Sequence, residues 1–206
     1  MQLLSLCVIS PLLSGVPVIA GIAAVQTAPP EPFRVRESKP VTTNDATFVA
    51  VAEAEWKAGK LASDNTAREI QLRITNVGKT DAIFPPFDTF GLTIRKADGT
   101  EITPVGGRND TTLTRSVVIA AGTTYCVCRR AETKWDDDRK SATLFYYDGT
   151  GTMASFGPLP AGQYTISFWY STTHVNGSQK KLRFGDLAIW SGKAATEELA
   201  FEILAP

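Results

Sequence analysis

The sequence predicts an all-β protein, an antiparallel β-sandwich of about eight strands, and three observations carry that reading. Apolar and polar residues alternate with a period of two along most of the chain. Turn-forming pairs such as Asp98-Gly99, Ala121-Gly122, Asp148-Gly149, Asn176-Gly177 and Ser191-Gly192 punctuate the alternating runs. No segment sustains the 3.6-residue period of an amphipathic helix. The one helix-like stretch, residues 50–60, is short enough to read as a strand and a turn.

The strands follow in order. Residues 46–54 open the series. In 68–76, Ile70, Leu72 and Ile74 alternate with Gln71, Arg73 and Thr75. In 90–96, Phe90, Leu92 and Ile94 alternate with Gly91, Thr93 and Arg95. Shorter runs are expected at 112–119, 123–130 and 142–147. The clearest run is 163–171, where Tyr164, Ile166, Phe168 and Tyr170 face away from Thr165, Ser167, Trp169 and Ser171. Leu199, Phe201 and Ile203 mark the last strand, 197–204. Each run has one apolar and one polar face, as a half-buried antiparallel strand requires. About 160 residues of such pattern are enough to bury one core, so one domain, 46–206, is expected.

The segment before it has two parts. No charged residue occurs before Glu31, and Leu3 to Val25 is almost continuously apolar, ending in Ala20-Gly21-Ile22-Ala23-Ala24. Residues 1–24 therefore read as a signal peptide, which makes the protein secreted or periplasmic. No Lys or Arg precedes the apolar run, so the alternative is a retained anchor, for which Pro11 and Pro17 make a poor helix. Cys7 is not a lipidation site, because Leu6 stands where a small residue is needed. Residues 25–45, rich in Pro, Thr and charge, read as a linker with one short strand at 33–36.

Composition limits the chemistry. Lysine and arginine number 21 and aspartate and glutamate number 21, so no charge excess draws the chain to nucleic acid or to an anionic membrane. No membrane association beyond the N-terminal segment is expected. A hydrophobic content of 43% is too high for a disordered chain. The single histidine, His174, leaves no material for a Ser-His-Asp triad or a histidine-built metal cage, and no phosphate loop or nucleophile elbow is present. No enzyme, metal or cofactor is expected.

Leu159-Pro160-Ala161-Gly162-Gln163-Tyr164 runs straight into the strongest strand. It resembles the tyrosine corner of immunoglobulin-like Greek-key sandwiches, in which the hydroxyl bonds upstream backbone. Three further pieces resemble exported bacterial sandwiches related to the intracellular proteinase inhibitor family. They are Ile70 to Gly78, with its Thr75-Asn76 before a glycine turn, Leu92 to Thr100, and Ile119-Ala120-Ala121-Gly122. The resemblance covers about 68–204 and implies an immunoglobulin-like Greek-key topology. It matches framework positions and carries no inhibitory residues across.

The candidate site residues are few. Trp169 lies on the polar side of its strand, and Phe84 and Phe87 flank a double proline; these three form the candidate binding surface. Cys126 and Cys128 point to one strand face at a separation near the limit for a bond. They read as a strained disulfide or two small packed side chains rather than a redox pair or half of a zinc site. The charged run Glu132 to Lys140 reads as a solvated loop with Trp135 docked on the body, rather than a calcium cage built on Asp136, Asp137 and Asp138. His174 reads as a loop residue.

The expected function is an exported, non-enzymatic immunoglobulin-like module for protein–protein or cell-surface association, with an unknown partner. One alternative is a proteinase inhibitor presenting residues 80–90 to a protease cleft, on the family resemblance alone. The other is a carbohydrate- or cation-binding module using Trp169 and the 136–138 carboxylates.

Overall fold

The computed structural model of the chain describes residues 34–57, 66–85, 89–105, 107–109, 116–128, 131–147, 152–173 and 186–206. The apolar N-terminal segment, Phe87 and His174 lie outside the described residues. Residues 33–206 form one compact unit. The described residues contain strands and turns and no helix, arranged as several packed antiparallel sheets consistent with a β-sandwich.

The first sheet joins β1 (Val35–Glu37), β2 (Val41–Thr43), β3 (Ala46–Glu53), β6 (Ile70–Asn76) and β12 (Thr124–Cys128). The second runs β10 (Gly107–Asn109), β15 (Thr152–Pro160), β14 (Ser141–Tyr147), β13 (Ala131–Asp136), β5 (Thr66–Arg68). A small third sheet holds β11 (Val117–Ile119), β7 (Ala82–Phe84) and β17 (Ala188–Ile189). The fourth runs β4 (Glu55–Lys57), β19 (Leu199–Leu204), β16 (Gly162–Ser171), β8 (Phe90–Lys96), β9 (Glu101–Ile102), with β18 (Lys193–Ala195) also on β16. Pairing is antiparallel except at β17–β7 and β19–β4.

Alternation explains which face each strand buries. Phe48, Leu72 and Ile74 of the first sheet meet Leu144 and Phe156 of the second and Ile94, Ile166, Phe168 and Phe201 of the fourth in one apolar core. Burying each of these side chains contributes roughly 1.5–3 kcal/mol.

Three expectations are corrected. Residues 34–45 are not a free linker. β1 and β2 both pair with β3, and Asn44 and Asp45, at φ 47° and 63°, form the two-residue hairpin between β2 and β3. Positive φ at both central residues gives the turn the twist its strands need.

The 132–141 segment is not a mobile loop. Residues 131–136 are a strand paired to both β14 and β5, and only 137–140 make a turn. Glu132 and Thr133 are buried, so charge density alone misplaced the run in water.

Residues 152–160, a stretch between the expected strands 142–147 and 163–171 that no strand was expected to fill, form a strand. β10 pairs only with 152–154, which leaves Pro158 and Pro160 on a stretch of β15 with one described neighbour. A strand edge tolerates residues that donate no backbone hydrogen bond.

Beneath the fourth sheet, Tyr164 is buried against Phe201, with ring centroids 5.6 Å apart. Its hydroxyl donates to the Pro160 carbonyl at 2.8 Å, and burial raises its pKa above the ordinary tyrosine value. Gly162, at φ 150°, lets the chain turn between acceptor and donor. Tyr164→Phe removes that one bond and should lower the free energy of unfolding by about 1 kcal/mol, read from the urea midpoint. A loss below the resolution of the titration would show that the bond does not fasten this corner.

Candidate functional site

The outward face of the fourth sheet is set by the pattern that builds its inward face. On β8, Phe90, Leu92 and Ile94 are buried, so Gly91, Thr93 and Arg95 point the other way. On β16, Tyr164, Ile166, Phe168 and Tyr170 are buried, which turns Thr165, Ser167, Trp169 and Ser171 outward. Ser167 is nevertheless covered by its neighbours, while Thr93, Thr165 and Arg95 are half-buried.

Trp169 stands at one end of this face. Of the four tryptophans, Trp56, Trp135 and Trp190 are buried and Trp169 is 41% exposed. Its cross-strand partners are Gly91 on β8 and Ala195 on β18. A Cβ on Gly91 would come within 2.7–2.8 Å of three indole atoms, Cζ2, Cε2 and Nε1, so the ring lies over that glycine. A side chain at 91 would displace it. Both flanking positions thus carry at most a methyl group, and the indole lies against the sheet over Gly91 with its outer side exposed.

At the other end, Arg95 binds two carboxylates. Its Nη1 donates to Glu198 Oε1 at 2.6 Å and its Nη2 to Glu101 Oε2 at 3.0 Å. Glu198 Oε2 also accepts from Thr165 Oγ1 at 2.9 Å. The bond to Glu198, reinforced by both carboxylate charges, holds the Arg95 guanidinium above its ordinary pKa. Trp169 and Thr165 are four residues apart on one strand, which separates the two ends by about 13 Å.

The other candidates lie elsewhere. Phe84 is not a surface residue. It is buried in an aromatic cluster with Trp190 and Tyr170, at centroid distances of 6.0 and 6.2 Å. Pro85, which follows it, is tied inward, because its carbonyl accepts from Tyr170 Oη at 2.8 Å and Thr89 Oγ1 at 2.5 Å. Burial pushes the Tyr170 phenol far above its usual pKa. Trp190 belongs to this cluster and does not roof Trp169.

Cys126 is an exposed free thiol facing Arg73 across the β6–β12 pair, and the Cys128 side chain lies outside the described residues. Asp136 Oδ1 accepts the amides of Asp138 and Arg139 at 3.0 and 3.1 Å, while Asp137 accepts from Trp135 Nε1 at 3.1 Å. Two of the three carboxylates are therefore spent on shaping the turn. Among the described residues no three His, Cys, Asp or Glu side chains gather as metal ligands.

Sequence reasoning missed one buried constellation. Arg68 and Glu53 form an ion pair at 3.1 Å with side chains 2% and 4% exposed. Arg68 Nε donates to Thr133 Oγ1 at 2.8 Å, a further guanidinium nitrogen reaches the Lys57 carbonyl, and Glu53 Oε1 accepts the Glu69 amide at 2.8 Å. Burial lowers the Arg68 pKa from its ordinary value, against the opposing pull of Glu53. No spacing rule announces this pair, since 15 residues and two sheets separate its members.

No family model, curated protein or solved structure matches the chain.

Proposed function

We propose that this chain is an exported immunoglobulin-like β-sandwich that acts as a non-enzymatic binding module, attaching to a surface through the outward face of the fourth sheet. The observation that carries this reading is Trp169, a large ring left 41% exposed between a glycine and an alanine while three other tryptophans are buried. An indole with a polar tip and an apolar body is suited to recognition when it is held rigidly on a sheet. The apolar leader of residues 1–24 supports export, and the Tyr164–Pro160 bond supports the immunoglobulin-like topology.

Adhesion of the purified protein to washed cells of the producing organism tests this. Saturable adhesion should weaken about tenfold in Trp169→Ala, given the roughly 1.4 kcal/mol that one well-placed aromatic contact supplies. The melting temperature should fall only modestly, because the variant uncovers Gly91 but leaves no cavity in the core. Equal adhesion by both proteins would overturn the reading. A protease panel run beside it reads the alternative, since stoichiometric inhibition unaffected by Trp169→Ala would move the function to residues 80–90.

A further inference from the structure

We infer that the ligand of this face is an uncharged polysaccharide chain, lying along β16 and β8 with one sugar ring on Trp169. The inference rests on the reading above that this face is the binding surface, and it names what the face binds.

The first argument is shape. Gly91 and Ala195 directly flank the indole with no more than a methyl group, so a flat ligand can reach the ring, and the exposed Lys193 lies one step further along the same face, opposite Ser171. The contact between Trp169 and Gly91 also fixes the ring against the sheet, so binding spends little conformational entropy on it. Covering a strand glycine with an aromatic ring stabilises the sheet in its own right. That role accounts for the side of the indole turned to Gly91 and leaves its exposed part unexplained.

The second argument is the chemistry along the track. From Trp169 towards the far end, the outward groups are the hydroxyls of Thr93 and Thr165 and then the Arg95–Glu198–Glu101 cluster. A sugar chain offers a matching sequence, a C–H face to stack on the indole and hydroxyls that both donate and accept. The Arg95 fork and the two carboxylates are already held in place by each other, so they present ordered donors and acceptors to those hydroxyls.

The third argument is charge. Arg95 is paired with two carboxylates, and the whole chain has 21 basic and 21 acidic residues. The cluster sums to one negative charge and the whole chain to zero, so neither gathers a polyanion. A protein partner is also poorly served. A stable protein interface needs roughly 1,000 Å² or more with an apolar centre, and the exposed valines at 35, 77, 105 and 118 lie on other strands and loops. Among the described residues Trp169 therefore stands as a single large apolar anchor on this face.

The test uses the purified protein with short linear oligosaccharides of the cello-, manno-, xylo- and laminari- series, and with polygalacturonate as the charged comparison. Because the other three tryptophans are buried, iodide quenching of fluorescence reads Trp169 selectively. At least one neutral series should protect Trp169 from iodide and bind by calorimetry. Trp169→Ala should weaken that binding about tenfold, and Arg95→Ala should weaken it without altering the quenching of the free protein. Trp169→Phe, which still covers Gly91, guards against loss through misfolding and should retain part of the affinity.

The inference is overturned if no neutral series binds, if polygalacturonate binds in preference to all of them, or if binding survives Trp169→Ala unchanged. Cell adhesion that depends on Trp169 with no neutral glycan bound would overturn the sugar assignment and leave the surface-association reading standing. Loss of both would remove both.

Discussion

Arg68→Met is expected to lower the free energy of unfolding by about 3–5 kcal/mol, because it breaks a buried ion pair from one side. The reason is what remains behind. Glu53 stays 4% exposed with a carboxylate that has lost its cation, and the Lys57 carbonyl and Thr133 hydroxyl lose their donor. Arg68 also fastens two sheets, because Glu53 lies on β3 while Arg68 and Thr133 lie on β5 and β13.

Glu53→Gln should cost a comparable amount. It keeps an acceptor for the Glu69 amide but strands the guanidinium without a counter-charge. The double variant should cost clearly less than the sum of the two, since neither charge is then left alone. Urea unfolding of the four proteins measures this. Two small and additive losses would mean that water reaches the pair and that the network does not join the sheets.

Trp56→Ala is expected to lose about 3–5 kcal/mol through the cavity it leaves. Trp56 is 1% exposed on a three-residue strand whose other members, Glu55 and Lys57, face solvent. Its ring stacks on Phe201 at 4.0 Å, and Phe201 in turn stacks on Tyr164. β4 has only three register pairs with β19, so the indole is the main attachment of that strand. Among the described residues the Trp56 Nε1 has no hydrogen-bond partner, so Trp56→Phe forfeits packing volume and no described bond. It should cost well under half as much as the alanine variant. Equal melting temperatures for wild type and Trp56→Ala would contradict the burial.

The sequence by itself determined the all-β class, and for β6, β8, β16 and β19 it determined which residues face inward. In those strands one face is packed and the other is largely not, so the burial pattern is written directly in the alternation of Ile70-Gln71-Leu72 or Phe168-Trp169-Tyr170, with Ser167 the outward residue that its neighbours nevertheless cover. Trp169 was legible as outward-pointing for the same reason. What the alternation leaves open is how far an outward residue is exposed, because that depends on strands distant in the chain. Gly91, Ala195, Arg95 and Glu198 surround Trp169 and Thr165 only through the register of β8, β18 and β19.

Tertiary structure alone decided three further matters. Phe84 turned inward because Trp190 and Tyr170 close over it from 106 and 86 residues away along the chain. Residues 131–136 became a strand although they are rich in charge, because β5 and β14 flank them on both sides. The buried charges of Glu53 and Arg68 are tolerated because each supplies what the other lacks. A charged residue reads as solvent-facing in sequence, and only a partner brought from another sheet reverses that assignment.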